Sequence, residues 1–589
     1  MSLLDSASLI VTPNGYSENT IYSVIPSSGA GDFTFTRATD AWRTNSQGLV
    51  QRVAWNLVQY SEQFNNGIWS KSRTSVLPNT AISPDGDLTA TTLIEDTSNA
   101  THRVFQSVSK SSTPIQYTFS CYLKAKERTF AQIRIAENGE LDSASAVINL
   151  STGQLIGTYG TYSNVSGSVV SLNNGWYRLS ITVTSVNASS IIGFILPALN
   201  GDLASPSYLG NGTSGIYIWG AQLVEGSSAL EYFPTTDRQD VPRIDYSLGG
   251  CPNILLEPQR TNLALHSEDL TQAVWTKGSG VTITADNAIS PSGIQNADRV
   301  TGATGPALWA SPNTLSQQIG VFASSTLCTI TIYLRSSTTS SQVTLVLRDQ
   351  STGFVSSVVC NLTSSWQRFE ISRTTGAATT ALGVVLGAAT ADFFAWGLQG
   401  EVGAYATTYI PTTTASVTRN ADVMTRSNVF TNGLITASGG TWFVDFRNNV
   451  PIQSQAAGDF FMLSEFGNFT GACLRFLNDA ALVSRLFLFK RTGGVTTQLF
   501  ASSTTNLKVA IKWNGATADV FANGVKVVSA TAFTETALNF INNGGQATKV
   551  FNSMMLFPTP LSDTDLQLLT GDSFDSYAAM AAYFNYTLQ

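Results

Sequence analysis

Asn56-Leu-Val-Gln-Tyr-Ser-Glu-Gln-Phe-Asn-Asn-Gly-Ile-Trp-Ser-Lys71 returns later in the chain as Asn262-Leu-Ala-Leu-His-Ser-Glu-Asp-Leu-Thr-Gln-Ala-Val-Trp-Thr-Lys277. Asn, Leu, Ser, Glu, Trp and Lys keep their places in both copies. A match of this kind between distant parts of one chain marks a duplicated domain. The correspondence continues outward. Ser83-Pro-Asp-Gly86 answers Ser290-Pro-Ser-Gly293, Phe119-Ser-Cys-Tyr-Leu-Lys124 answers Ile330-Thr-Ile-Tyr-Leu-Arg335, and Trp176-Tyr-Arg-Leu179 answers Trp366-Gln-Arg-Phe369. Trp219-Gly-Ala-Gln-Leu223 with Phe233-Pro-Thr-Thr236 answers Trp396-Gly-Leu-Gln-Gly400 with Ile410-Pro-Thr-Thr413. The spacing falls from 206 residues (Asn56 to Asn262) to 177 (Trp219 to Trp396), so the second copy is shorter, with its losses placed in loops.

Within each copy, short runs rich in Val, Ile, Thr, Tyr and Phe alternate with Gly, Ser and Asn turns. This pattern predicts antiparallel β-sandwiches over residues 56–236 and 262–414. Residues 1–55 read as a strand-rich arm, with Phe33-Thr-Phe-Thr36 alternating at period two. Residues 237–261 read as an extended linker holding Pro242, Gly249-Gly250, Pro252 and Pro258. A third β-sandwich is predicted over 415–589. Its meander contains Asn514-Gly515 and Asn523-Gly524, which suit type I′ hairpins. Ser562 is expected to cap a short helix with Asp565 in the capping box, and a terminal helix is expected over Asp575–Phe584. The fold class is therefore all-β.

Composition narrows function by exclusion. The 589 residues carry 12% charged residues and a net charge of −7, with no run of Lys or Arg, which disfavours nucleic-acid binding. The five cysteines lack CxxC spacing, so neither a zinc site nor a disulfide framework is implied. The first ten residues do not read as a signal peptide, and no apolar run reaches the ~20 residues needed to cross a bilayer. Synthesis in a cytoplasm without membrane insertion is the expectation.

Both repeats resemble the jelly-roll, carbohydrate-binding-module-like domains found in tandem in bacteriophage appendage proteins. The resemblance rests on the Asn-Leu…Ser-Glu…Trp-x-Lys opening, the Tyr-Leu-Lys strand and the Trp-Gly-Ala-Gln-Leu…Tyr-x-Pro-Thr-Thr close. The bridge Val241-Pro-Arg-Ile-Asp-Tyr…Glu257-Pro-Gln-Arg-Thr-Asn262 and the leader Ser8–Phe35 are similar to connectors and leaders of such proteins, and Leu507–Leu569 looks like a laminin-G/concanavalin-like sandwich. The resemblance implies a surface-exposed virion fibre or spike subunit, a homotrimer by analogy, that docks to other virion proteins through the arm at 1–55. It would bind host-surface polysaccharide without being an enzyme. A head-fibre or capsid decoration protein without an essential ligand is the alternative in another class, and a polysaccharide depolymerase is a third.

Candidate sites are few. Six of the eleven tryptophans pair across the copies (Trp69 with Trp275, Trp176 with Trp366, Trp219 with Trp396), which marks them as core. Of the unpaired Trp42, Trp55, Trp309, Trp442 and Trp513, Trp309 lies in a loop-like setting and is the candidate glycan-binding aromatic. His102 and His266 are the only histidines, and no Gly-x-Ser-x-Gly accompanies either. Glu140-Leu-Asp142 lacks the second Glu of a hydrolase strand, Ser145 standing there instead. Glu62 and Glu268 recur and read as hydrogen-bond anchors. No cofactor is expected. A structural Ca²⁺ has no specific motif, since Asp85 and Asp87 become Ser292 and Ile294 in the second copy. Recognition is expected on loops where the copies differ.

Overall fold

A computed structural model describes residues 3–571 and 582, apart from 111–113, 205, 304–312, 350–354, 377–379, 389–391, 448–457, 468–470, 479–485, 493–494, 503, 505, 536 and 544–547. Strands dominate the described residues, with the single α-helix Asp563–Gly571 among them. Two compact units emerge, residues 54–238 and the remainder.

The first unit is one sandwich of two six-stranded antiparallel sheets. One runs in the order Gln154–Gly160, Asp142–Asn149, Phe130–Glu137, Ser190–Ala198, Arg103–Ser109 and Ser70–Ser72. The other runs Ser163–Ser171, Trp176–Thr184, Gln116–Ala125, Gly215–Glu225, Ala90–Glu95 and Thr74–Ala81. Period-two alternation explains the core: Tyr117, Phe119, Cys121 and Leu123 point inward from one strand and meet Ile133, Ile135 and Ile195 from the facing sheet.

The second copy repeats this with two five-stranded sheets. They are Trp275–Lys277, Leu315–Phe322, Thr380–Ala388, Ser340–Asp349 and Val355–Thr363, and Thr282–Ile289, Gln295–Thr301, Asp392–Val402, Leu327–Ser336 and Gln367–Thr374.

The third sandwich departs from the expected division of the chain. The leader is not a free arm: Leu9–Ser17 pairs antiparallel with Lys549–Phe557, Leu9 opposite Leu556, and Phe33–Thr36 pairs with Val423–Arg426. The bridge is not a mere linker either, because Asn253–Leu256 also pairs with Lys549–Phe557, Ile254 opposite Phe551. Apolar alternation decides both outcomes. Leu9, Val11, Phe33, Phe35, Ile254 and Leu256 are buried in one cluster with Trp442, Trp513 and Phe551, so leaving these pieces free would expose that surface to water. Three separated stretches of sequence thus build one sheet.

A buried ionic cluster ties these stretches together. Arg243 donates to Glu257 (2.5 Å) and to Asp422; Arg37 donates to Asp422 (2.8 Å), and Arg419 lies 2.7 Å from Glu257. Thr407 links Arg419 to Glu401. Burial opposes ionisation of Glu257, but Arg419 and Arg243 outweigh it and hold its carboxyl at about 2. The Pro-Arg-Ile-Asp-Tyr and Leu-Leu-Glu-Pro segments are therefore structural: Arg243 and Glu257 lie in this cluster, and Asp245 accepts from the Thr44 amide (2.8 Å).

Two local expectations resolve differently. Asn523 and Gly524 both have positive φ, as a two-residue type I′ turn requires. At the other dipeptide only Gly515 does, because the Asn514 carbonyl oxygen of its side chain accepts from the amides of Ala516 and Thr517 and closes a three-residue loop instead. Ser562 caps the helix Asp563–Gly571, its hydroxyl bonding Asp565 (2.6 Å) and accepting the Asp565 amide (3.1 Å). The terminal helix expected over Asp575–Phe584 lies outside the described residues.

Candidate functional site

The repeated motif is a clasp that closes each sandwich. Asn56 donates to the carbonyls of Ala221 and Phe233 and accepts from the amides of Val58 and Leu223. Asn262 does the same with Leu398, Ile410, Ala264 and Gly400. Ser61 and Ser267 bond the hydroxyls of Tyr232 and Tyr409 at 2.8 Å, and Glu62 and Glu268 accept from those same phenols at 3.1 and 3.0 Å. The indole N–H groups of Trp69 and Trp275 donate to the carbonyls of Tyr60 and His266. Tyr60 and His266 both take left-handed φ (49° and 46°), so His266 holds a backbone corner. His102 is buried with Nδ1 2.7 Å from the Arg73 carbonyl.

The Trp-Gly dipeptides have a steric reason. Gly220 (φ 59°) and Gly397 (φ 68°) sit at bulges where a Cβ would lie 2.9 Å from the Tyr122 ring and 3.1 Å from that of Tyr333. Trp219 stands edge-on to Tyr122 and tilted on Tyr232, and Trp396 relates likewise to Tyr333 and Tyr409. Trp69, Trp176, Trp275, Trp396, Trp442 and Trp513 are fully buried. Trp366 is half-buried and donates to the Ile289 carbonyl (2.8 Å). Trp309 lies outside the described residues. Asp85 accepts from Ser83 and from the Asp87 amide, as a turn does. Among the described residues, no group of three or more His, Cys, Asp or Glu is placed to hold a metal.

The copies differ on a sheet face. In the first sandwich, the outward side of the Gln154–Gly160 to Ser70–Ser72 sheet carries one cross-strand row, Tyr159, Ser145, Arg134, Phe194, Phe105 and Ser70, each opposite the next. At the ~4.8 Å spacing of strands, six positions span about 24 Å. The matching row in the second sandwich is Thr276, Ser316, Val385, Val346 and Ser357, without an aromatic or a charge.

Two guanidiniums overlie the aromatic floor of the first row. Arg103 lies 5.4 Å from the Phe105 ring centroid and 4.9 Å from that of Phe194, and Arg134 lies 5.7 Å from Phe194. Phe194 is consequently buried, and the arginines are the accessible surface above it. Glu140 holds both, 2.7 Å from Arg103 and 3.6 Å from Arg134. Two cations against one carboxylate leave an excess positive charge. Burial, reinforced by the like charge of Arg103 and opposed by Glu140, lowers the Arg134 guanidinium below its ordinary value. Tyr159 (56% exposed) and Leu141 (82% exposed) stand open to solvent. The arrangement suits a carboxylate-bearing ligand, which arginine grips bidentately.

No protein-family model and no curated protein matches the chain. Among solved structures it is similar to the N-terminal CBM22-1–CBM22-2 tandem of Paenibacillus barcinonensis Xyn10C, at 10% identity over 59% of this chain and 97% of that one (TM-score 0.19). It is similar to the CBM40 domain of Ruminococcus gnavus IT-sialidase, at 15% identity over 23% of this chain and 83% of that one (TM-score 0.18). It is also similar to the enzymatically active domain of bacteriophage CBA120 tailspike protein 4, at 16% identity over 29% of this chain and 22% of that one (TM-score 0.19). At these scores none of the likenesses bears on function.

Besides the loops, where recognition is expected, the copies differ in strands. One signal was present. Ile191-Ile-Gly-Phe-Ile-Leu196 is apolar at every position, so one of its two faces had to be covered from outside the core. Glu140, the first acid of Glu140-Leu-Asp142, is the counter-ion of the arginine pair.

Proposed function

We propose that this chain is a non-catalytic surface subunit of a phage virion that binds acidic host polysaccharide through Arg103 and Arg134, with Tyr159 exposed beyond them in the same cross-strand row. The observation that supports this reading is the pair Arg103 and Arg134, propped on Phe105 and Phe194 with one excess positive charge. Arginine over an aromatic floor presents planar donors to a sugar carboxylate, and Tyr159, exposed two strands away from Arg134, is a further point of contact. One such site is weak, and several identical subunits on a particle would raise avidity without new contacts.

The test is a glycan array probed with the full-length protein and with Arg134→Ala and Phe105→Ala. Wild-type protein is expected to retain uronic- or sialic-acid glycans, and Arg134→Ala to lose about tenfold in affinity. Retention of acidic glycans at wild-type strength by Arg134→Ala would defeat the assignment of the face. Absence of any glycan binding would favour a decoration subunit instead, and antibody labelling of particles would then locate it.

A further inference from the structure

We propose a second binding site, in the other unit, that takes a neutral saccharide ring through a pair of adjacent hydroxyls. Its place is a cleft of about 360 Å³ between the leader, the end of the second sandwich and the segment that follows it. The residues that carry the argument are Asp40 and Arg52 on the polar side and Ile410, Pro411 and Val417 on the apolar side. All belong to the unit comprising residues 1–53 and 239–589. The volume falls at the small end of ligand pockets, and an apolar lining with a few convergent polar groups is their usual make-up.

The cleft exists because the leader returns to the second sandwich. Trp42–Thr44 and Val50–Arg52 form a hairpin that sets Trp42 opposite Arg52. The Val50 amide donates to the Pro291 carbonyl (2.9 Å), and Leu49 approaches Gly293. Trp42 stands edge-on to Tyr409 (5.7 Å, 75°), and the Arg52 guanidinium lies 5.7 Å from the Trp42 ring centroid. The hydrogen bonds of Tyr409 to Ser267 and Glu268 fix the floor. The walls are set before any ligand arrives, which reduces the ordering cost of binding.

Charge chooses the class of ligand. Asp40 and Arg52 lie 2.9 Å apart with side chains 34% and 27% exposed, so solvent and ligand reach both. Together they are neutral, and Arg419, the third charged group on the lining, is 1% exposed and committed to Glu257 (2.7 Å). A carboxylate acceptor beside a guanidinium donor matches two adjacent hydroxyls, each of which donates and accepts. The carboxylate disfavours an acidic sugar, in contrast to the Arg103–Arg134 face. Ile410, Pro411 and Val417 offer the apolar wall against which the C–H side of a sugar ring packs.

Saturation-transfer NMR on the full-length protein tests this with neutral hexoses and disaccharides at roughly 10 mM, beside the matching uronic acids. Transfer from a neutral sugar is expected with wild type and with Arg134→Ala. It is expected to disappear in Val417→Trp, which fills the cleft, and affinity is expected to fall at least ~10-fold in Arg52→Gln. If Val417→Trp loses its native melting curve, Arg52→Gln alone decides. The proposal is overturned if no neutral sugar shows transfer to wild type, or if transfer survives both cleft variants. It is also overturned if transfer is lost in Arg134→Ala and kept in the cleft variants, which would place the sugar on the first sandwich. Failure of acidic-glycan binding alone leaves these outcomes unchanged, so the two sites are judged separately.

Discussion

Replacing Arg243 with Met removes the cation that serves both Glu257 and Asp422 and leaves two buried carboxylates sharing Arg37 and Arg419. Breaking a buried pair by removing one partner costs about 3–5 kcal/mol. A second route gives a similar size for the cluster's hold on Glu257: its carboxyl is held at about 2 against an ordinary 4.5, and at about 1.4 kcal/mol per pKa unit this amounts to about 3 kcal/mol. Differential scanning calorimetry of Arg243→Met at pH 7 should therefore show the transition that includes the third sandwich lowered by about 10 °C. The transition of residues 54–238 should stay in place, because the cluster lies wholly in the other unit. The pH dependence has a defined sign. A depressed carboxyl stabilises the fold fully above about 4.5 and loses that contribution as pH falls towards 2, so the gap between wild type and variant should close in acid. A shift below ~1 kcal/mol at pH 7, or equal shifts in both transitions, would refute the reasoning.

Other substitutions probe separate claims. Asn262→Ala deletes four hydrogen bonds at the clasp of the second sandwich and should cost about 2–4 kcal/mol in urea unfolding, with Asn262→Asp only partly rescuing it. Gly220→Ala forces a side chain into left-handed backbone and against the Tyr122 ring; a loss of about 1–3 kcal/mol in the first sandwich is expected by the same measurement. Burial, with the like charges of Asp269 and Asp286, raises the Asp298 carboxyl to about 7 despite the amides of Leu270 and Asp286. Its contribution is therefore fully present in acid and is lost as pH rises through 7. Asp298→Asn should flatten the stability of the second sandwich between about pH 4 and 7.

The duplication was legible because the clasp needs particular side chains. The Asn at 56 and 262 gives a buried corner two N–H donors and one oxygen that accepts twice, and only Gly fits beside Tyr122 and Tyr333. Strand alternation likewise revealed the cores. The membership of the leader and the bridge in the last sandwich was hidden, because strand pairing leaves no local mark on which distant strand is the partner. Leu9–Ser17 reads equally well as an edge of any sheet. The arginine face was hidden for a related reason. Phe105, Arg134 and Phe194 stand far apart in sequence and become a row only when three strands take their register.

The sheet that joins Leu9–Ser17 to Lys549–Phe557 also sets a schedule for synthesis. Ser8 bonds Leu556 across 548 residues, so the leader leaves the ribosome long before its partner strand exists. At about 5–20 residues per second the wait is roughly half a minute to two minutes. Over that interval the contiguous sandwiches have all their strands available to close. The leader meanwhile keeps Leu9, Ile10, Val11, Ile21, Phe33 and Phe35 without their final cover. A chain cut short before Lys549 would lack the strand that pairs with Leu9–Val11, so a premature stop upstream of it turns the first strands into an adhesive end. The strand Lys549–Phe557 thus decides whether the first strands of the chain are ever covered.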